Sequence, residues 1–168
     1  GPRGGAPRLV RRNTGDVPVS AQIRSYAWHQ SDGEARLTAS DLLVASPPIV
    51  ELPPGGKQLV RIVLVGPLAT DRDQSFRIVV DELPSDDDNG DSWVALRMRY
   101  VIPAFVRAND PVPATLSCVI DAMQSHLSCR NSGGRPAQLG ASRLLGGDGQ
   151  SIELSKGLFG YVLPGSTR

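Results

Sequence analysis

Two histidines, two cysteines and one run of carboxylates are the residues of this 168-residue chain whose types and spacing could do chemistry. His29 and His126 each stand outside any Cys, His or carboxylate cluster with metal-ligand spacing, so both are expected to be structural. The acidic run Asp86-Asp87-Asp88-Asn89-Gly90-Asp91 invites a calcium assignment. An EF-hand loop begun at Asp86 needs Gly at its sixth position and Glu at its twelfth, and Asp91 and Arg97 stand there instead. The run is expected to be a solvated loop that keeps the tip of a long hairpin soluble. Serines and threonines are plentiful, but none lies in a Gly-x-Ser-x-Gly elbow with a partner His. The expectation is a protein that is not an enzyme and uses neither cofactor nor metal.

The elements that would position side chains read as strands. A net charge of +1 and a pI near 8.0 give no long-range field to gather nucleic acid. No apolar run approaches the roughly 18 residues of a membrane-spanning helix. From Val17 to Trp28, apolar and small residues at odd positions alternate with Ser20, Gln22, Arg24 and Tyr26, the period of a strand. Asn13-Thr14-Gly15-Asp16 and Ser31-Asp32-Gly33 supply turns on either side. A strand is expected to follow Pro47-Pro48, and further strands at 57–65, 75–83, 93–107, 115–121, 126–131, 137–145 and about 158–163; no helical period is sustained. The opening seven residues, Gly1 to Pro7, are set aside as a frayed flank or tag scar. Many short strands between Gly, Pro and Asp turns predict an all-β sandwich architecture.

Ala108-Asn109-Asp110-Pro111-Val112-Pro113 interrupts this pattern, and its two prolines remove ladder donors as a short hinge would. It divides the chain into a domain at 1–107 and a partial one at 114–168. If 115–121 and 126–131 form a hairpin, Asp121 opposes His126 and, in the same register, Cys118 opposes Cys129. Opposed cysteines on one hairpin face meet disulfide distances; two buried free thiols are the alternative.

Two blocks carry a family resemblance. The first is Ser46-Pro47-Pro48-Ile49-Val50-Glu51-Leu52-Pro53-Pro54-Gly55-Gly56, followed by Gln58, Val60 and Arg61. The second is Leu68, Asp71-Arg72-Asp73, Phe76 and Glu82-Leu83-Pro84. Together they resemble the periplasmic chaperones of the chaperone–usher pilus pathway over roughly 9–107. Asp73 departs from the usual Glu, Gln74 from a small hydroxyl residue and Val79 from Asn. The resemblance implies two immunoglobulin-like domains joined at an angle, with the first strand and the last strands lying outside a chain truncated at both ends. It implies a periplasmic protein that binds pilin subunits, completes their fold by donor-strand complementation and delivers them to an outer-membrane usher. An oxidising periplasm would also close the Cys118–Cys129 bond.

The same resemblance assigns roles to particular residues. Val94, Leu96, Met98, Tyr100 and Ile102 alternate along 93–103 and correspond to the apolar row lent to a pilin that lacks its last strand, a mode of recognition by strand addition. Read without the resemblance, that row is plain core. Arg97 and Arg99 between its members would discourage self-pairing of an exposed edge, although the edge still offers empty copies a place to associate. Glu82 and Arg107 correspond to a pair that meets an acidic residue of the second domain, expected beyond Arg168, and so fixes the interdomain angle. The rival expectation is an immunoglobulin-like adhesion or carbohydrate-binding module with recognition on its loops. The eight aromatics, not expected to form a stacking cluster, favour the chaperone.

One departure has a consequence. Many relatives place a Lys in an Ile-Lys-x-x-x-Arg-Pro stretch to grip the client's terminal carboxylate, and here that Lys is Pro103. Arg99 has the same strand parity but lies about 13 Å away, at about 3.3 Å per residue. The client is then anchored chiefly by the apolar row. Amidating its carboxylate should cost well below the roughly 1.5–3 kcal/mol of a charge-assisted hydrogen bond, measured as client affinity; a loss of about tenfold or more would mean that a grip persists.

Overall fold

The computed structural model describes residues 8–67, 69–84 and 97–168. Their regular structure is strand throughout: β1 (Arg8–Arg12), β2 (Val19–Ser31), β3 (Glu34–Ala39), β4 (Leu43–Ser46), β5 (Ile49–Leu52), β6 (Lys57–Leu64), β7 (Gln74–Glu82), β8 (Arg99–Val106), β9 (Leu116–Asp121), β10 (His126–Asn131), β11 (Ala137–Leu139), β12 (Ser142–Leu145), β13 (Ser151–Ser155) and β14 (Gly160–Val162). The all-β expectation holds. The chain divides into two compact units and enters each more than once. The first comprises Gly1–Ala27, Leu37–Pro67 and Phe76–Ala104; the second comprises Trp28–Arg36, Leu68–Ser75 and Phe105–Arg168.

Turn chemistry sets the first unit's hairpins. Asp32 (φ 54°) and Gly33 (φ 78°) both take the left-handed conformation that a two-residue hairpin turn demands, so β2 folds back as β3. At Pro53-Pro54-Gly55-Gly56 the Gly56 amide donates to the Pro53 carbonyl at 2.8 Å, and Gly55 supplies the positive φ of 73°. That turn joins β5 to β6. One sheet has the order β1-β6-β4, the other β3-β2-β7-β8, with β5 also on β2. The chain changes sheets between β4 and β5, across the cis Ser46–Pro47 bond. Inward positions of both sheets meet in a core that includes Ala21, Ile23, Leu52, Val60, Ile62, Phe76, Ile78 and Val80. At about 1.5–3 kcal/mol per large apolar side chain, these contacts are the first unit's main stabilisation.

The second unit is built from three antiparallel pairs, β9 with β10, β11 with β14 and β12 with β13. Asp121 opposes His126 and Cys118 opposes Cys129, the expected register, and the two cysteines are bonded. The expected strand at 137–145 is instead two. Gly140 and Ala141 separate β11 from β12, which take different partners. Buried Cys129, Ala137 and Val162 form a small core with Leu127 and Leu139 against it.

A repeat that the strand pattern conceals stabilises both units. Arg12-Asn13-Thr14-Gly15-Asp16-Val17-Pro18 and Arg130-Asn131-Ser132-Gly133-Gly134-Arg135-Pro136 share the order Arg-Asn-(Ser/Thr)-Gly-x-x-Pro. In both, the Asn side chain is buried and does the same work. The Asn13 amide donates to the carbonyls of Val17 (2.7 Å) and Leu52 (3.0 Å) and accepts from the Gly15 amide. Asn131 donates to Arg135 (2.7 Å) and Val162 (3.0 Å) and accepts from Gly133 and Thr115. Each Asn satisfies backbone groups where a strand leaves its sheet, at a place where an orphaned polar group is costly. Gly133 and Gly134 belong to the second corner for a steric reason. A Cβ on Gly133 would meet the Pro113 carbonyl oxygen at 2.0 Å, and one on Gly134 would meet that of Asp71 at 2.2 Å.

Asn131→Ala leaves four backbone groups without their partner, at about 1–3 kcal/mol for each buried orphan. Urea denaturation should show the second unit destabilised by on the order of 3 kcal/mol or more, whereas exposed Ser132→Ala should change little.

Candidate functional site

β8 is the last strand of its sheet among the described residues, so one of its edges carries no described neighbour. Exposure declines along it: Arg99, Tyr100 and Val101 are exposed and the following residues half-buried. Met98, one residue before the strand, is 43% exposed and Tyr100 is 38% exposed. Ile102, the next member of the alternating row, is half-buried. Val94 and Leu96 lie outside the described residues, as does the acidic run 86–91. The Tyr100 ring is capped by the Arg11 guanidinium, 4.8 Å from its centroid. A cation held over a ring face keeps the ring in place while leaving part of it exposed.

The foot of β8 is tied to the end of β7. The Glu82 amide donates to the Met98 carbonyl at 3.0 Å, and the Met98 amide points at Glu82 Oε2, 3.4 Å away. One residue along, Asp81 receives two arginines. Arg24 Nη2 on β2 donates to Asp81 Oδ2 at 2.5 Å, and Arg99 Nε on β8 donates to Asp81 Oδ1. The hydrogen bond from Arg99, then that from Arg24, holds the Asp81 carboxyl below its ordinary 3.8, with partial burial opposing them. Asp81 in turn raises the pKa of Arg99. Because the depressed pKa belongs to an acid, the stabilisation is present above 3.8 and lost as the pH falls below it. Asp81 bridges three strands and was not singled out in the sequence. Its signal there is only a carboxylate beside Glu82 at a strand end.

Glu82 and Arg107, the two residues expected to meet an acidic third partner, lie at the end of β7 and just after β8. Glu82 is beside Met98, whereas the residue after Arg107, Ala108, donates its amide at 2.9 Å to Asp73 Oδ1, at the other end of β7. Asp73 is buried, and its own amide donates to the Gly134 carbonyl at 2.8 Å. The stretch after Arg107 is stitched down as well. Asn109 and Asp110 donate to the carbonyls of Ala69 and Thr70, and the Val112 carbonyl accepts from Gly134.

The aromatics do cluster, contrary to expectation. Trp28, Phe105 and Tyr161 meet pairwise at centroid distances of 6.1, 5.9 and 5.2 Å. Trp28 is 3% exposed, so the group is packing and not a platform for a sugar ring. The Gln30 amide fastens it by donating to the Tyr161 carbonyl and accepting from the Leu163 amide, both at 2.8 Å. Among the described residues no group of three or more His, Cys, Asp or Glu could hold a metal ion.

Comparison with known proteins agrees with this geometry. The family model described as pili and flagellar-assembly chaperone, PapD N-terminal domain, matches residues 8–111. Among solved structures, the chain is similar to one from the CsuC–CsuE chaperone–tip adhesion subunit pre-assembly complex of archaic chaperone-usher Csu pili of Acinetobacter baumannii. The two are 28% identical with a TM-score of 0.75, over 96% of this chain and 77% of that one. The E. coli chaperone DraB matches at 20% identity and a TM-score of 0.66, over 99% of this chain and 78% of that one. A chain of the Salmonella enterica SafA pilin–SafB chaperone complex matches at 18% identity and a TM-score of 0.68, over 99% and 76%. The latter two likenesses show the fold alone. No curated protein sequence matches the chain.

Proposed function

The chain belongs to the family of pili and flagellar-assembly chaperones, and from that premise we propose that it captures pilin subunits in the periplasm by lending them the edge strand at β8. A pilin short of its last immunoglobulin strand has an open apolar groove and an unpaired sheet edge. A lent strand answers both, its backbone completing the ladder and its alternate side chains entering the groove. The observation that carries the proposal is the exposure of Met98, just before β8, and of Tyr100 on β8, which is the last strand of its sheet among the described residues. Val94, Leu96 and Ile102 extend the same row in sequence. Delivery of the captured subunit to an outer-membrane usher follows as the next step, and pairing of two empty copies through β8 is the competing use of the same edge.

Glu82 and Arg107 take the interdomain role that the resemblance implies for them, with 108–113 as the hinge between the two domains. Within the second unit the stretch is hydrogen-bonded through Ala108 to Asp73, and through Asn109, Asp110 and Val112 to Ala69, Thr70 and Gly134.

The doubly substituted variant Leu96→Ser, Met98→Ser tests the lent row. Two apolar side chains buried in the client are worth about 1.5–3 kcal/mol each, so affinity for a pilin subunit should fall by tenfold or more, at about 1.4 kcal/mol per decade. The variant's own unfolding midpoint should stay near that of the wild type. Unfolding of the variant would identify the row as internal core and end the proposal.

A further inference from the structure

We infer that Asp81 is a positioning residue for client capture: with Glu82 it clamps Met98 and Arg99, and so fixes the foot of the lent strand before a client arrives. The inference rests on the donor-strand proposal above and deepens it. Asp81 and Glu82 are consecutive strand residues, so their side chains leave opposite faces of the sheet. Opposite them stand two consecutive residues of the lent segment. The Glu82 amide takes the Met98 carbonyl at 3.0 Å, and its carboxylate lies 3.4 Å from the Met98 amide. Asp81, on the other face, takes Arg99 Nε on one oxygen and Arg24 Nη2, at 2.5 Å, on the other. Arg24 belongs to β2, so the clamp anchors the edge strand to the interior of the sheet, across β7.

Energetics separate positioning from folding. The side chains of Arg24 and Arg99 are 44% and 65% exposed, and ion pairs this open to water contribute little to global stability. Their geometric effect is larger. A strand lent to another protein must present its row at the pitch of the client's groove, and any freedom at its foot is entropy lost on binding. Holding Met98 and Arg99 through backbone and side chain together removes that freedom beforehand. The residues held are the row's Met98 and the arginine between it and Tyr100.

The experiment compares wild type, Asp81→Asn, the donor-row variant Leu96→Ser, Met98→Ser, and the combination of the two. The probe is a pilin subunit that the wild type captures, unfolded and diluted into chaperone. Capture rate and affinity are read alongside the thermal midpoint. Asp81→Asn keeps the shape and removes the charge. It should lower capture by about tenfold while moving the midpoint by no more than about 4 °C, the size of an ion-pair loss in a chain of this length. In the donor-row background the same substitution should have no further effect, because the row it positions is gone. Asp81→Asn that captures at the wild-type rate while the donor-row variant does not would overturn the clamp and leave the donor-strand proposal standing. An undiminished effect of Asp81→Asn in the donor-row background would also overturn it. A donor-row variant that captures as well as wild type would remove the donor-strand proposal itself, and the clamp with it.

Discussion

An open antiparallel sheet must end, and its last strand presents backbone N–H and C=O groups that nothing in the sheet can satisfy. Among the described residues the first unit has β8 at that end, with its most exposed residues at its start. The remainder of the sandwich makes this tolerable. Phe76, Ile78 and Val80 on β7 bury one side of the neighbouring strand in the core, so β7 is a firm wall against which β8 lies. On the donor-strand proposal, the outer edge of β8 is open to water in the free protein. A client lacking a strand would replace that water with a ladder, and the burial of Met98 and Tyr100 would supply the free energy. Recognition, on that proposal, is the completion of a sheet and calls for neither a deep cavity nor a cluster of titratable groups.

Holding an exposed edge in shape requires rigidity elsewhere, and the chain achieves it with buried polar side chains whose hydrogen bonds are satisfied. Asn13 and Asn131 close equivalent corners with the same set of contacts. Asp73 fastens the chain leaving β8 through the Ala108 amide, and Gly134 accepts the Asp73 amide in return. Buried groups of this kind are costly when unpaired and specifying when paired. The corners where the backbone changes direction are therefore set more sharply than hydrophobic packing alone would set them. The second unit relies on them most, since its apolar core is small and the Cys118–Cys129 bond cross-links its first hairpin.

Much of this was legible in the residue order. The period of two in 17–28, the Asp32-Gly33 turn, the Pro-Pro-Gly-Gly turn and the register that opposes Cys118 to Cys129 are local rules, and the chain obeys them. β3 escaped because all six of its residues are exposed, which leaves no alternation to detect. β4 is four residues long, and β1 lies beside a flank that had been set aside. Asp81 is not legible because residues far apart in sequence meet through the strand register, which the order of residues does not display: its two arginines lie 57 and 18 residues away. The asparagine corners were visible as a repeat, but only the turn at Asn13 was noticed, as a turn and not as a hydrogen-bonding centre.

The central claim is that β8 itself becomes part of the client's sheet, and amide hydrogen exchange of the chaperone with and without bound pilin tests it most directly. Donation of the strand predicts strong new protection along the segment from Met98 to Ile102, at the alternate amides that face outward in the free protein, with the asparagine corners unchanged. New protection confined to loops, with the β8 amides exchanging as fast in the complex as in the free protein, would contradict it.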